Sequence, residues 1–158
     1  MLTELVVQYL MRLSKDFTSA EFYCPCCKKK GVSPTLITLL QKLRDWVGEP
    51  IFISKGGGVR CEKYNKKIGG FDTSAHLTGE AADIHCKNTD IYKLALMANL
   101  LKFQRIGIDP FSNYIHVDVV KPHPSKYWVY DKTGFIKYFK PPKTIDDAIY
   151  FAKLIKKS

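Results

Sequence analysis

The sequence has no apolar run long enough to cross a bilayer. Its most apolar stretch, Ile91 to Leu101, is broken by Lys93 and falls well short of the roughly 20 residues a spanning helix needs. No membrane span is expected. The N-terminal MLTELVVQYLMRL has no basic n-region and carries Glu4 before its apolar part, so it does not read as a secretory signal. Internal repeats and low-complexity linkers are missing as well, and 158 residues suit one domain, here 1–158. Acidic residues are in short supply, with 15 Asp and Glu against 25 Lys and Arg, a net charge of +10. Such a balance favours anionic partners: nucleic acid, anionic lipid or anionic cell-wall polymer. It equally describes a basic, solvated surface. No helix is lined with arginine on one face and no RNA-recognition or zinc-finger spacing occurs, so no specific nucleic-acid partner is expected.

Five cysteines are present, an odd number. Cys24, Cys26 and Cys27 fall within CPCCKKKG, while Cys61 and Cys86 are isolated. Cys24 and Cys27 have the spacing of half a structural zinc site, but no second pair follows. A disulfide to Cys61 in an oxidising compartment, or reduced and partly buried thiols, fit the count equally.

Hydrophobic periodicity orders the rest of the chain. Leu2 to Leu13 reads as a short helix. The clearest helix runs from Pro34 to about Val47, capped by Ser33 and ended by Gly48 and Pro50. Ile51–Ser54 reads as a buried strand, Cys61 to Ile68 as a short helix and Ala82–Cys86 as a strand. Thr89 to about Phe103 reads as a helix. Arg105–Ile108 and Tyr114–Val120 have β-branched strand content. Tyr127–Tyr130 and Phe135–Phe139 suggest a hairpin, and Thr144 to Asp147 opens a terminal helix with a capping-box-like start. Gly56-Gly57-Gly58 lacks the Walker and dinucleotide-binding spacings, so a flexible turn is expected. The expected class is α+β, with helices flanking a mainly antiparallel sheet.

His76, Asp83 and His116 stand out together. A hydrolytic zinc site needs three protein ligands and an open position, and two imidazoles with one carboxylate leave the site net positive. Gly79 breaks any helix between His76 and Asp83, so a loop would carry the first and a strand the second. Histidine and aspartate also serve as surface and capping residues, so the spacing alone leaves the zinc open.

Longer blocks surround these three. Arg60-Cys61-Glu-Lys-Tyr64-Asn65-Lys-Lys-Ile-Gly69-Gly70, then Ser74-x-His76-x-x-Gly79-x-Ala81-x-Asp83, then Gly107-Ile and His116-Val-Asp118 occur in order. Together, over roughly Phe17 to Trp128, they resemble the zinc D-alanyl-D-alanine carboxypeptidase family, which shares an architecture with lysostaphin-type peptidases and the hedgehog domain. The resemblance implies that fold, a zinc cofactor held by His76, Asp83 and His116, and cleavage of peptidoglycan stem peptides next to a D-amino acid. It also implies substrate contacts from Ser74 and from Arg60, whose planar fork suits a substrate oxygen or carboxylate. Well-known relatives place a carboxylate three residues before the last zinc histidine, where this chain has Asn113. Asparagine cannot take the proton.

Asp118 shares a strand face with His116 and is either the general base or the partner that orients His116. Glu80 and His85 are weaker candidates for the base. Lys55-Gly-Gly-Gly-Val replaces the Ser-Gly-Tyr-like turn usual in the family, and Tyr127, Trp128 and Tyr130 are candidates to line a groove. With the missing signal, the expectation is a monomer that stays cytoplasmic or reaches the wall by phage-type release. An inactive zinc-containing wall-binding module on the same fold is the alternative, with a basic nucleic-acid-binding protein behind it.

Overall fold

A computed structural model describes residues 11–122, 125–134, 136 and 142–158. After a single 3-10 turn at Ser19–Phe22 come helix α1 (Pro34–Val47), strand β1 (Ile51–Ile53), helix α2 (Glu62–Lys67) and strand β2 (Ala81–Cys86). Helix α3 (Ile91–Leu100), strands β3 (Arg105–Asp109), β4 (Tyr114–Asp118) and β5 (Tyr127–Val129), and helix α4 (Ile145–Lys157) complete the order. Among the described residues no helix is long and apolar enough to cross a membrane.

The helices form where their caps and apolar stripes direct. Ser33 Oγ accepts from the Leu36 amide, and Gly48 closes α1 at φ 77° with its amide on the Arg44 carbonyl. Leu36, Ile37, Leu40 and Leu43 are thereby buried, each worth about 1.5–3 kcal/mol against exposure. Helix α3 starts two residues later than its sequence suggests. Glu49 takes the Thr89 amide at 2.6 Å, and Asp90 becomes the cap by accepting from Tyr92 and Lys93. A reciprocal Thr144–Asp147 capping box opens α4. The helix expected over Leu2 to Leu13 lies mostly outside the described residues. At its described end Arg12 instead bridges antiparallel to Thr18.

The five strands form one sheet in the order β1-β2-β4-β3-β5, antiparallel except for β3 with β5. Strand β4 has β2 on one side and β3 on the other, so β5 cannot pair with it and instead lies along the outer edge of β3, parallel to it. Tyr130 bridges antiparallel to Ile136, as a hairpin there requires. The remainder of Phe135–Phe139 falls outside the described residues.

The period of two sorts the sheet into unlike faces. Ile51, Ala82, Ile84, Ile106, Ile108, Ile115, Val117 and Val129 are buried in the core cluster with residues of α1, α3 and α4. The alternate positions carry Asp83, Tyr114, His116, Asp118, Arg105, Gly107 and Trp128. The Asp, His and Arg side chains of the sheet and Trp128 therefore share the face turned away from α1, α3 and α4.

Candidate metal centre

Register places the site. Asp83 pairs with His116, His116 with Gly107, and Gly107 with Trp128, so one row crosses four strands on a single face. Gly107 matters because it has no side chain. A Cβ there would run into the Trp128 indole, whose ring instead lies 5.0 Å from the His116 ring.

His76 reaches this row from the loop before β2. Its Nδ1 donates to the Gly58 carbonyl at 2.8 Å, which leaves Nε2 as the free lone pair. His116 is turned the other way: Nε2 meets Asp118 Oδ2 at 2.8 Å, leaving Nδ1 inward. The inward atoms converge, with His76 Nε2 3.2 Å from His116 Nδ1 and 3.3 Å from Asp83 Oδ1. His116 Nδ1 is 3.1 Å from Asp83 Oδ1. All three residues are buried. Burial pushes the His76 pKa down and keeps that imidazole neutral. Burial acts the same way on His116, but hydrogen bonds it donates to Asp118 and Asp83 lift it above its ordinary value. Burial would raise Asp83, yet the two imidazoles hold it far below the usual carboxylate range.

This donor set fits a zinc ion. Bonds of about 2.0–2.1 Å to a tetrahedral metal put neighbouring ligand atoms about 3.3 Å apart, which is the spacing found between these three. The outer nitrogen of each imidazole is fixed by an oxygen, as metal-ligating histidines require.

Gly56-Gly57-Gly58, expected as a flexible turn, is a buried, close-packed one. A Cβ on Gly57 would fall 2.7 Å from the Asp83 Cβ, and one on Gly58 2.6 Å from the Phe22 carbonyl oxygen. The Gly57 carbonyl accepts from the Asp83 amide at 2.8 Å. The triple glycine thus lets the loop lie flat against the strand that carries Asp83.

Arg60 follows this loop. Its guanidinium donates to Asp83 Oδ2 at 2.7 Å, to the Gly56 carbonyl at 2.6 Å and, more weakly, to Asn65 Oδ1 at 3.5 Å. One oxygen of Asp83 faces the histidines and the other is held by Arg60. Ser74 Oγ accepts from the His76 amide at 3.4 Å, within the turn that delivers His76. Asp118 is fully buried, with Arg105 Nε 3.0 and 2.8 Å from its two oxygens. Because it bonds the outer nitrogen of His116, the imidazole ring stands between Asp118 and the three inward atoms.

Asn113 is exposed in the β3–β4 turn at φ 58°. Glu80 is bonded to Thr78, and His85 stacks on Phe52 and meets Ser54. Tyr127 leaves the site face and donates to Asn99, whereas Trp128 and Tyr130 stay beside His116 and Tyr114. Burial and then the charge of Asp83 push the Tyr114 and Tyr130 phenols up, keeping them protonated. Arg105, Tyr114 and the vacancy at Gly107 escape sequence reasoning because only strand register reveals them.

A search among curated proteins finds no match for the chain. A family model described as Peptidase M15 matches residues 15–118, a span that includes Arg60, Ser74 and the whole His–Asp–His cluster. Matched over well more than half its length, the chain belongs to peptidase family M15, whose members are metal-dependent.

Proposed function

We propose that the protein is a zinc peptidase that cleaves peptidoglycan stem peptides next to a D-amino acid, as a carboxypeptidase or endopeptidase. The observation that carries this reading is the 3.1–3.3 Å spacing of His76 Nε2, Asp83 Oδ1 and His116 Nδ1. When bound, zinc supplies an acidified water and polarises the scissile carbonyl.

The chain's own groups do the rest. Arg60 holds Asp83 in place, and of its five N–H donors those not engaged by Gly56, Asn65 and Asp83 are free for a substrate carboxylate or oxyanion. Tyr114 and Tyr130 remain protonated, able to donate to negative charge as it develops. Asp118 is a positioning residue: it fixes the tautomer of His116 and is itself fixed by Arg105. This gives up the general-base role weighed for Asp118, because its carboxylate is screened from the inward atoms by the ring it orients. Ser74 shapes the turn that presents His76. The basic surface suits an anionic wall.

Asn113 and the screened Asp118 favour a second reading, a zinc-holding module that binds the wall without cutting it. One experiment separates the two. Purified peptidoglycan is digested with the parent and with His76→Ala, fragments are read by mass spectrometry, and zinc is counted in both proteins. Cleavage lost together with one zinc per chain supports the peptidase. A zinc-replete parent that binds peptidoglycan and releases no fragments supports the module.

A further inference from the structure

A second cluster of metal-ligating side chains lies outside the site just described. The ligand atoms of Cys24, Cys27 and Cys61 all fall within 4.8 Å of one another, and none is in a disulfide. A fourth thiol, Cys26, interacts with Cys61 and Cys24 but lies outside this tightest group. We propose that Cys24, Cys27 and Cys61 bind a structural zinc ion, with Cys26 on the exposed turn closing in as the fourth donor, and that this ion ties the N-terminal segment to the loop carrying Arg60.

Three features support it. First, the backbone is shaped as a turn that aims two sulfurs to one side. The Lys28 amide donates to the Cys24 carbonyl at 2.9 Å, the Cys24 amide to the Lys29 carbonyl at 3.1 Å, and Lys28 adopts φ 59°. That left-handed conformation is uncommon for a residue with a side chain. Second, amides are turned onto sulfur. The Cys61 amide donates to Cys24 Sγ and the Tyr64 amide to Cys61 Sγ, both at 3.4 Å. Such donors stabilise thiolate, the form that ligates metal. Third, Lys28, Lys29 and Lys30 follow Cys27 directly in the chain and the charge of Lys63 acts on Cys26, which suits a site that would carry two net negative charges with four thiolates on one zinc ion. A disulfide engages two sulfurs and leaves the other converging thiols unexplained. Four sulfur donors leave no open position, which marks a structural rather than a hydrolytic site.

The location gives the clamp its purpose. Residues 11–31 contain little regular structure beyond the 3-10 turn and join the core through Phe17 and Phe22, with Cys24 also buried. The Val59 amide donates to the Phe22 carbonyl at 2.8 Å, the Gly58 carbonyl holds His76, and Cys61 adjoins Arg60. Fixing Cys61 to the Cys24–Cys27 turn therefore steadies the loop that orients both His76 and Arg60.

The test counts zinc in the full chain as purified, in His76→Ala and in Cys27→Ser, whose side chain is exposed. The parent should carry two zinc ions and each variant one. X-ray absorption of His76→Ala should show the remaining zinc among sulfurs at about 2.3 Å. Should Cys27→Ser fail to fold, mercurial titration of the His76→Ala protein should release its zinc as the four thiols react. His76→Ala without zinc and with the exposed Cys26 and Cys27 reacting freely would overturn the proposal, as would thiols lost in pairs to disulfides or a nitrogen and oxygen shell around the metal. Because His76→Ala removes the first site only, failure here is distinguishable from failure of the peptidase reading.

Discussion

Replacing Asp118 with asparagine keeps the shape of the side chain and changes one oxygen into an N–H donor. In the structure both oxygens are committed: Oδ2 faces His116 Nε2 at 2.8 Å, and both oxygens accept from Arg105 Nε within 3.0 Å. Whichever way the amide turns, one buried donor meets another donor, a loss of about 1–3 kcal/mol. His116 is then poorly held and less basic, and zinc affinity should fall about 10- to 100-fold, equivalent to about 1.4–2.7 kcal/mol. Competition with a chromophoric chelator measures the affinity, and turnover at saturating zinc measures what remains of the chemistry. The expected result is weaker zinc binding with turnover largely restored once zinc is saturating. Unchanged affinity together with a 10²- to 10⁴-fold loss of kcat, the signature of a missing general base, would refute the positioning role.

Gly107→Val should force the Trp128 indole off its seat on His116. Overpacking of this kind costs about 1–3 kcal/mol, visible as a lower melting temperature and altered tryptophan fluorescence; an unchanged melt and spectrum would contradict the packing described. Arg60→Lys keeps the charge and loses the fork, so zinc affinity should drop about tenfold, as for other partners of metal ligands, and equal affinity in both proteins would argue against a hold on Asp83. In metal-free protein the raised His116 pKa contributes stability that is complete below about 6.5, the unfolded value, and lost as pH rises through the folded value. Zinc must displace that proton, so affinity should increase with pH and calorimetry in buffers of different ionisation heat should detect proton release. A pH-independent affinity would count against it.

Much of the fold can be read in one dimension because its signals are local. Ser33, Pro34 and Gly48 mark both ends of α1, and the same kind of capping places α4 at Thr144. The spacing of His76, Asp83 and His116 leaves a metal open, and the cluster becomes legible through the surrounding blocks that resemble the D-alanyl-D-alanine carboxypeptidase family. What escaped depends on contacts distant in sequence. Glu49 displaces the start of α3 by capturing Thr89. The place of β5 beside β3 depends on β4 being already flanked by β2 and β3. The packing role of Gly57 and Gly58 needs Asp83 and Phe22 in place, and the direction of Asp118 depends on which nitrogen of His116 faces inward. Period two placed Asp118 and His116 on one face, but not the imidazole between that carboxylate and the site.

The most direct test of the central claim uses defined stem peptides ending in D-amino acids, incubated with chelator-treated protein before and after zinc is restored. Mass spectrometry reads each product. The account predicts no cleavage in the stripped protein, and on restoring zinc the appearance of products cut at a single bond next to a D-residue. Cleavage that persists without metal, or zinc-replete protein that leaves every peptide and intact peptidoglycan uncut, would contradict it.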